Sequence, residues 1–164
     1  MQPNIQLIDA VARRLVANDL TLVTAESCTG GMIAAELTSV PGCTEWFEGA
    51  FVTYRWSAKM RMIGVRRQTL GTFGAVSEPT AREMAEGALV ASDAGISVSV
   101  TGIAGPEGGD VLSPVGTVWF GWAVRAPTPC CVQTSRHEFD GGRDAVREQA
   151  VEIALKGLLA ILQN

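Results

Sequence analysis

Ile5, Ile8, Ala12, Leu15 and Val16 recur at helical spacing with Asp9, Arg13 and Arg14 among them, which predicts an amphipathic helix over residues 4–18. A short apolar strand is predicted over 20–24. Beyond the paired Gly30 and Gly31, the apolar positions Ile33, Ala34, Leu37 and Val40 predict a second helix, ended by Pro41-Gly42. A strand over 48–54 leads to a short helix over 57–63, with Gly64 as its stop. In SEPTAREMAEGALVAS, Ser77 is a candidate N-cap, Pro79 sits in the first turn, and Ala81, Met84, Ala85, Ala88 and Leu89 share one face. ISVSVT, residues 96–101, alternates as a strand. A loop rich in glycine and proline fills 102–114. Segments 116–125 and 131–139 flank Ala126-Pro127-Thr128-Pro129 and predict two antiparallel strands on a stiff connection. The last helix, 144–162, sets Val146, Ala150, Ile153, Ala154, Gly157, Leu158 and Ile161 on one side.

Helices alternating with strands, then a hairpin and a closing helix, predict an α/β fold: three layers, α/β/α, around a mixed central sheet. The 164 residues are about one domain's worth, and the segments flanking the glycine loop are too short to fold alone, so residues 1–164 are expected to form a single domain. A long loop inside such a domain is more often functional than a linker.

Composition narrows the functional classes. The net charge of -4, with Lys and Arg scattered or in pairs such as Arg13-Arg14 and Arg66-Arg67, gives no basic footprint for nucleic acid. The amino terminus lacks the apolar stretch of a signal peptide and no run reaches membrane-spanning length, so no membrane partner and a cytoplasmic location are expected. Cys28, Cys43, Cys130 and Cys131 show no CxxC pair, and His137 is the only histidine, so no metal site and no cofactor are expected; the adjoining Cys130 and Cys131 read as small apolar residues.

Three segments carry candidate chemistry. Thr24-Ala25-Glu26-Ser27-Cys28-Thr29-Gly30-Gly31 lies between a strand and a helix, where free N–H groups and the helix dipole suit an anion or an acyl-transfer oxyanion. Plain helix capping by Ser27 or Thr29 accounts for the same residues. The segment is neither GxxxxGK[ST] nor GxSxG. In Tyr54-Arg55-Trp56-Ser57-Ala58-Lys59, capping by Ser57 would place Lys59 in the first turn, where the dipole opposes its charge and favours a neutral, basic amine. The other reading is a surface lysine beside a packing tyrosine. In Thr101-Gly102-Ile103-Ala104-Gly105-Pro106-Glu107-Gly108-Gly109, closed by 114–117, glycines expose backbone amides as phosphate loops do, although a surface loop would look the same. Arg143, after Gly141-Gly142, is a candidate phosphate partner or a solvated residue. His137 shares a strand face with Gln133, Ser135 and Phe139, which suits packing better than catalysis.

TAESCTGG, residues 54–59, GAVSE (74–78), TGIAGPEGG, PVGTV (114–118) and the Gly142-Arg143 to Arg147 segment occur in the order in which they stand in the CinA carboxy-terminal domain family, which this chain resembles over nearly its whole length. The resemblance implies hydrolysis, without a metal, of the carboxamide of nicotinamide mononucleotide to nicotinate mononucleotide and ammonia, in pyridine nucleotide salvage. Ser27 matches the family's catalytic serine, and Tyr54 and Lys59 match its tyrosine and lysine. Cys28, Thr29, Gly30, Gly31, Thr101, Gly102, Ile103, Ala104, Gly105, Gly108, Gly109 and Arg143 are then expected to bind substrate. A homo-oligomer is implied as well. Larger family members carry a further amino-terminal domain. Arg55 and Trp56, and the stretch 110–113, depart from the family pattern and bear on substrate fit. The family's link with competence and DNA damage leaves a non-catalytic nucleotide-binding or regulatory module as the alternative, and a serine hydrolase working through His137 as a further one.

Overall fold

A computed structural model of the protein describes residues 4–125 and 131–163. The elements run α1 (Ile5–Ala17), β1 (Leu22–Glu26), α2 (Met32–Thr38), a 3-10 turn (Cys43–Glu45), β2 (Phe47–Val52), α3 (Trp56–Ile63), α4 (Arg67–Phe73), α5 (Glu78–Val90), β3 (Ile96–Gly102), β4 (Thr117–Val124), β5 (Cys131–Glu138) and α6 (Arg143–Ile161). The predicted connection Ala126-Pro127-Thr128-Pro129 and the reading of Cys130 lie outside the described residues.

Among the described residues the strands form one sheet in the order β2-β1-β3-β4-β5. β1 pairs parallel with β2 and β3, whereas β3–β4 and β4–β5 are antiparallel, so the sheet is mixed. One face carries α1, α2 and α6 over Leu22, Ile96, Val98, Val100, Val118 and Phe120. The other carries α3, α4 and α5, with Ile63, Leu70, Met84 and Ala85 packed against Val23 and Ala25. The predicted three-layer α/β/α architecture is therefore present.

α1 follows its pattern, with Ile8, Val11 and Leu15 buried on one stripe. Ser77 caps α5 by accepting from the Thr80 N–H, and Gly64 ends α3 in the left-handed conformation at φ 67°. Residues 67–73 fall outside every predicted element but form α4, held through Glu83 of α5: Glu83 accepts from the Arg66 N–H and guanidinium and, at 2.6 Å, from the Thr69 hydroxyl. β3, expected over 96–101, is buried on both faces although apolar and polar residues alternate along it. Its hydroxyls donate to main chain instead, Ser97 to Ala85 O at 2.7 Å, Ser99 to Ala81 O at 2.6 Å and Thr101 to Ala75 O at 2.8 Å.

The connections determine where a site forms. After β1 the chain turns to α2 on one face, and after the neighbouring β2 it turns to α3 on the other. Adjacent parallel strands whose continuations diverge leave a crevice beyond their carboxyl ends, where α/β folds bind ligands. β1 and β2 end level there, with Glu26 in register with both Val52 and Val100, and β3 runs two residues further, to Gly102.

Candidate active site

Ser27 is the first residue beyond β1. Its N–H continues the ladder to Val100 O at 3.0 Å, so the backbone of the serine is fixed by the sheet. The chain then turns sharply through Gly30 (φ 60°) and Gly31 (φ 95°), two successive left-handed residues that only glycine adopts readily. This turn bends the loop back over the strand ends and leaves Ser27 only 7% exposed.

Lys59 approaches from the other side of the crevice, on α3. Its side chain is 0% exposed, yet the amine is fully partnered: Nζ donates to Ser27 Oγ at 2.8 Å, to Thr53 O at 2.6 Å and to Tyr54 O at 3.1 Å. Burial disfavours the charged form and lowers its pKa from 10.5 to about 8. The geometry serves both protonation states. A neutral amine has two N–H donors and one lone pair; carbonyls accept but cannot donate, so the hydrogens go to Thr53 and Tyr54 and the lone pair faces the Ser27 hydroxyl.

The anticipated cause of Lys59's basicity needs revision. α3 begins at Trp56 with Arg55 as an extended N-cap and no side-chain cap, so Ser57 does not cap it. Lys59 is the fourth helical residue, and its lowered pKa comes from desolvation. Tyr54 orients the amine with its main-chain carbonyl, while the residue is 61% exposed. Beside the serine, burial pushes the Cys28 thiol up to about 11, which keeps it a thiol near neutral pH.

In the glycine loop, Thr101 gives its hydroxyl to Ala75 O, Gly102 continues the β3–β4 pairing, and Ile103 exchanges main-chain bonds with Thr117 O and the Gly116 N–H. These contacts hold the loop. Ala104 and Gly105 are buried, and Gly108 and Gly109 are exposed. Arg143 is exposed at the start of α6 and donates to Gly105 O at 2.9 Å. His137 stands apart. It stacks on Phe139 at 5.6 Å and meets the Phe120 edge at 5.5 Å, on a strand three places from β1, roughly 14 Å at ordinary strand spacing.

The sequence model of the CinA C-terminal domain matches residues 4–162. This chain belongs to that family. It is 51% identical over 160 residues to the protein of Escherichia coli K12 named nicotinamide-nucleotide amidohydrolase PncC, covering 97% of this chain and 95% of that one. It is 44% identical to the Pseudomonas putida protein of the same name, over 98% of each. The crystal structure of competence damage-inducible protein A from Klebsiella pneumoniae superposes with a TM-score of 0.91 at 40% identity, covering 97% of this chain and 96% of that one.

Two members of the site escape sequence reasoning. Glu26, fully buried, accepts from the Thr24 and Thr29 hydroxyls (3.2 and 2.7 Å) and from the N–H groups of Gly31, Ile33 and Ala34 (2.9, 3.2 and 2.9 Å). It therefore caps α2 from the preceding strand, and the first-turn N–H groups it engages are not open to a substrate anion. The spacing gives no hint, because an ordinary N-cap adjoins the helix and Glu26 lies six residues before Met32. Arg147, one turn into α6, donates from Nε to Cys28 O at 3.1 Å and from a terminal nitrogen to Thr29 O at 3.2 Å. Both contacts are to main chain, which no residue-type pattern encodes.

Proposed function

We propose that this protein hydrolyses the carboxamide of nicotinamide mononucleotide to nicotinate mononucleotide and ammonia, with Ser27 as nucleophile and Lys59 as its base. The identity with the nicotinamide-nucleotide amidohydrolases supports the reaction. The observation that carries the assignment of roles is the 2.8 Å contact between the buried Lys59 amine and the Ser27 hydroxyl.

Neutral Lys59 takes the Ser27 proton as Oγ forms its bond to the amide carbon. The carbonyl electron pair moves to oxygen, where a backbone N–H of the Cys28-Thr29 segment holds it. The protonated lysine gives its proton to the amide nitrogen, the C–N bond breaks, and ammonia leaves. Water then attacks the ester with Lys59 again as base, releasing the carboxylate and restoring the serine. The positive pyridinium ring draws electrons from the carboxamide and assists both attacks. Gly108, Gly109 and Arg143 hold the phosphate. No step needs a metal or a further cofactor, and the reaction is expected to run unchanged with a chelator present.

Incubation of the purified protein with nicotinamide mononucleotide is expected to yield ammonia and nicotinate mononucleotide in equal amounts. Ser27→Ala, folded as judged by circular dichroism, is expected to lose at least about 10³-fold in kcat. Ammonia release near the wild-type rate in that variant removes Ser27 from the scheme.

A further inference from the structure

The turn that carries the base also carries an open indole. Helical side chains lean toward the amino-terminal end of their helix. Lys59 does so far enough for Nζ to reach Thr53 O (2.6 Å) and Tyr54 O (3.1 Å), ahead of α3, so residues 53–59 close into a ring around the amine. Trp56 is the middle residue of that ring. It opens α3 and begins the stripe that Lys59 and Ile63 continue at i+3 and i+7, the face turned toward the sheet. Lys59 and Ile63 on this stripe are buried, whereas Trp56 is 46% exposed. The stripe therefore runs out of the core at its first turn, on the side where the amine meets Ser27. Among the described residues no ring and no hydrogen-bond acceptor engages the indole, so its aromatic face is uncommitted.

Attack requires the carboxamide carbon to come within about 3–3.5 Å of Ser27 Oγ, which is itself 2.8 Å from the Lys59 amine. The pyridinium ring is bonded directly to that carbon, so the ring enters alongside the 53–59 turn. A planar cation is attracted to an aromatic face through the ring quadrupole, and indole attracts it most strongly among the side chains. We propose that Trp56 is a specificity-determining residue that stacks on the positively charged pyridinium ring of the substrate and selects it over a neutral ring of the same shape, an inference that rests on the amidohydrolase reading above. The indole holds the ring and moves no proton, a task that stays with the Lys59 amine.

Two measurements with nicotinamide mononucleotide test this. In Ser27→Ala, which holds the substrate without turnover, titration is expected to quench tryptophan emission, because a pyridinium in contact with an indole accepts an electron from its excited state. Trp46 and Trp122 are buried, and Ser27→Ala carrying Trp56→Phe is expected to lose most of the quench. In ammonia-release kinetics, Trp56→Ala is expected to raise KM about 5- to 30-fold with kcat within about threefold of wild type. Trp56→Phe keeps a smaller ring, is expected to fall between, and is the variant to read where Trp56→Ala does not fold. Benzamide riboside 5′-phosphate, a neutral ring of the same shape, serves as competitor, and its inhibition constant is expected to change less than about threefold in Trp56→Ala. A KM within about twofold of wild type, a quench that persists without Trp56, or equal weakening of the charged and neutral ligands would overturn the proposal. A wild-type protein that releases no ammonia, while Trp56 is still quenched in Ser27→Ala, overturns the reading of the reaction and supports the ring contact.

Discussion

A lysine amine held out of water in a charged state is costly, and Lys59 reveals that cost through pH. With its folded pKa near 8 against an ordinary 10.5, the folded chain has released a proton that the unfolded chain still holds between those values. Unfolding in that window takes up a proton, so stability attributable to this residue is lowest below pH 8 and rises by about 3 kcal/mol as pH approaches 10.5. Urea unfolding of wild type and Lys59→Met at pH 7 to 10 is expected to show that rise in wild type alone; parallel curves would mean that the amine is not buried as described. At this scale the sequence was legible where a side chain meets a side chain. Ser27 and Lys59 stand in quotable motifs, and the structure puts them in contact. Glu26 and Arg147 were not legible as site residues because their partners are largely backbone groups.

Among the elements, β1 delivers Ser27 and α3 delivers Lys59, and the helices α2 and α3 are each anchored by a device that residue patterns do not display. α2 depends on Glu26. Replacing its carboxylate in Glu26→Gln turns one acceptor oxygen into a donor facing donors, so part of the five-bond set fails and stability is expected to drop by about 1–3 kcal/mol, with lower kcat. Thermal melts and ammonia assays check this, and unchanged melting would show that α2 does not need the cap. α3 is fixed by the close approach of α5 at Gly87, where a Cβ would lie 1.7 Å from Ile63 O. Gly87→Ala must push α3 outward, and is expected to cost at least about 1–3 kcal/mol and to lower kcat by moving Lys59, although position 87 is remote from the chemistry. A variant with wild-type stability and rate would contradict the packing. Helical periodicity located α1, α5 and α6 because one stripe of each faces the core. It missed α4, whose seven residues depend on Glu83 from another helix, a contact that local sequence does not announce.

For the whole molecule, the decisive property is the divergence of the chain after two adjacent strands. β1 continues into one helical layer and β2 into the other, so a serine and a lysine 32 residues apart meet where the layers separate. α6 closes the arrangement from the carboxy-terminal end of the chain, holding the nucleophile loop through Arg147 and the glycine loop through Arg143. The alternation of elements was enough to predict three layers and a mixed sheet. Strand order was not, because it depends on pairings between segments far apart in sequence. Ser27 can attack only once Lys59 has lost its proton. The direct measurement is kcat/KM for nicotinamide mononucleotide hydrolysis against pH from 6.5 to 9.5, which reports ionisation of the free enzyme. The predicted curve rises about tenfold per pH unit on its acidic side and levels off above a midpoint near 8; a curve that is flat across this range, or that falls through it, contradicts the account.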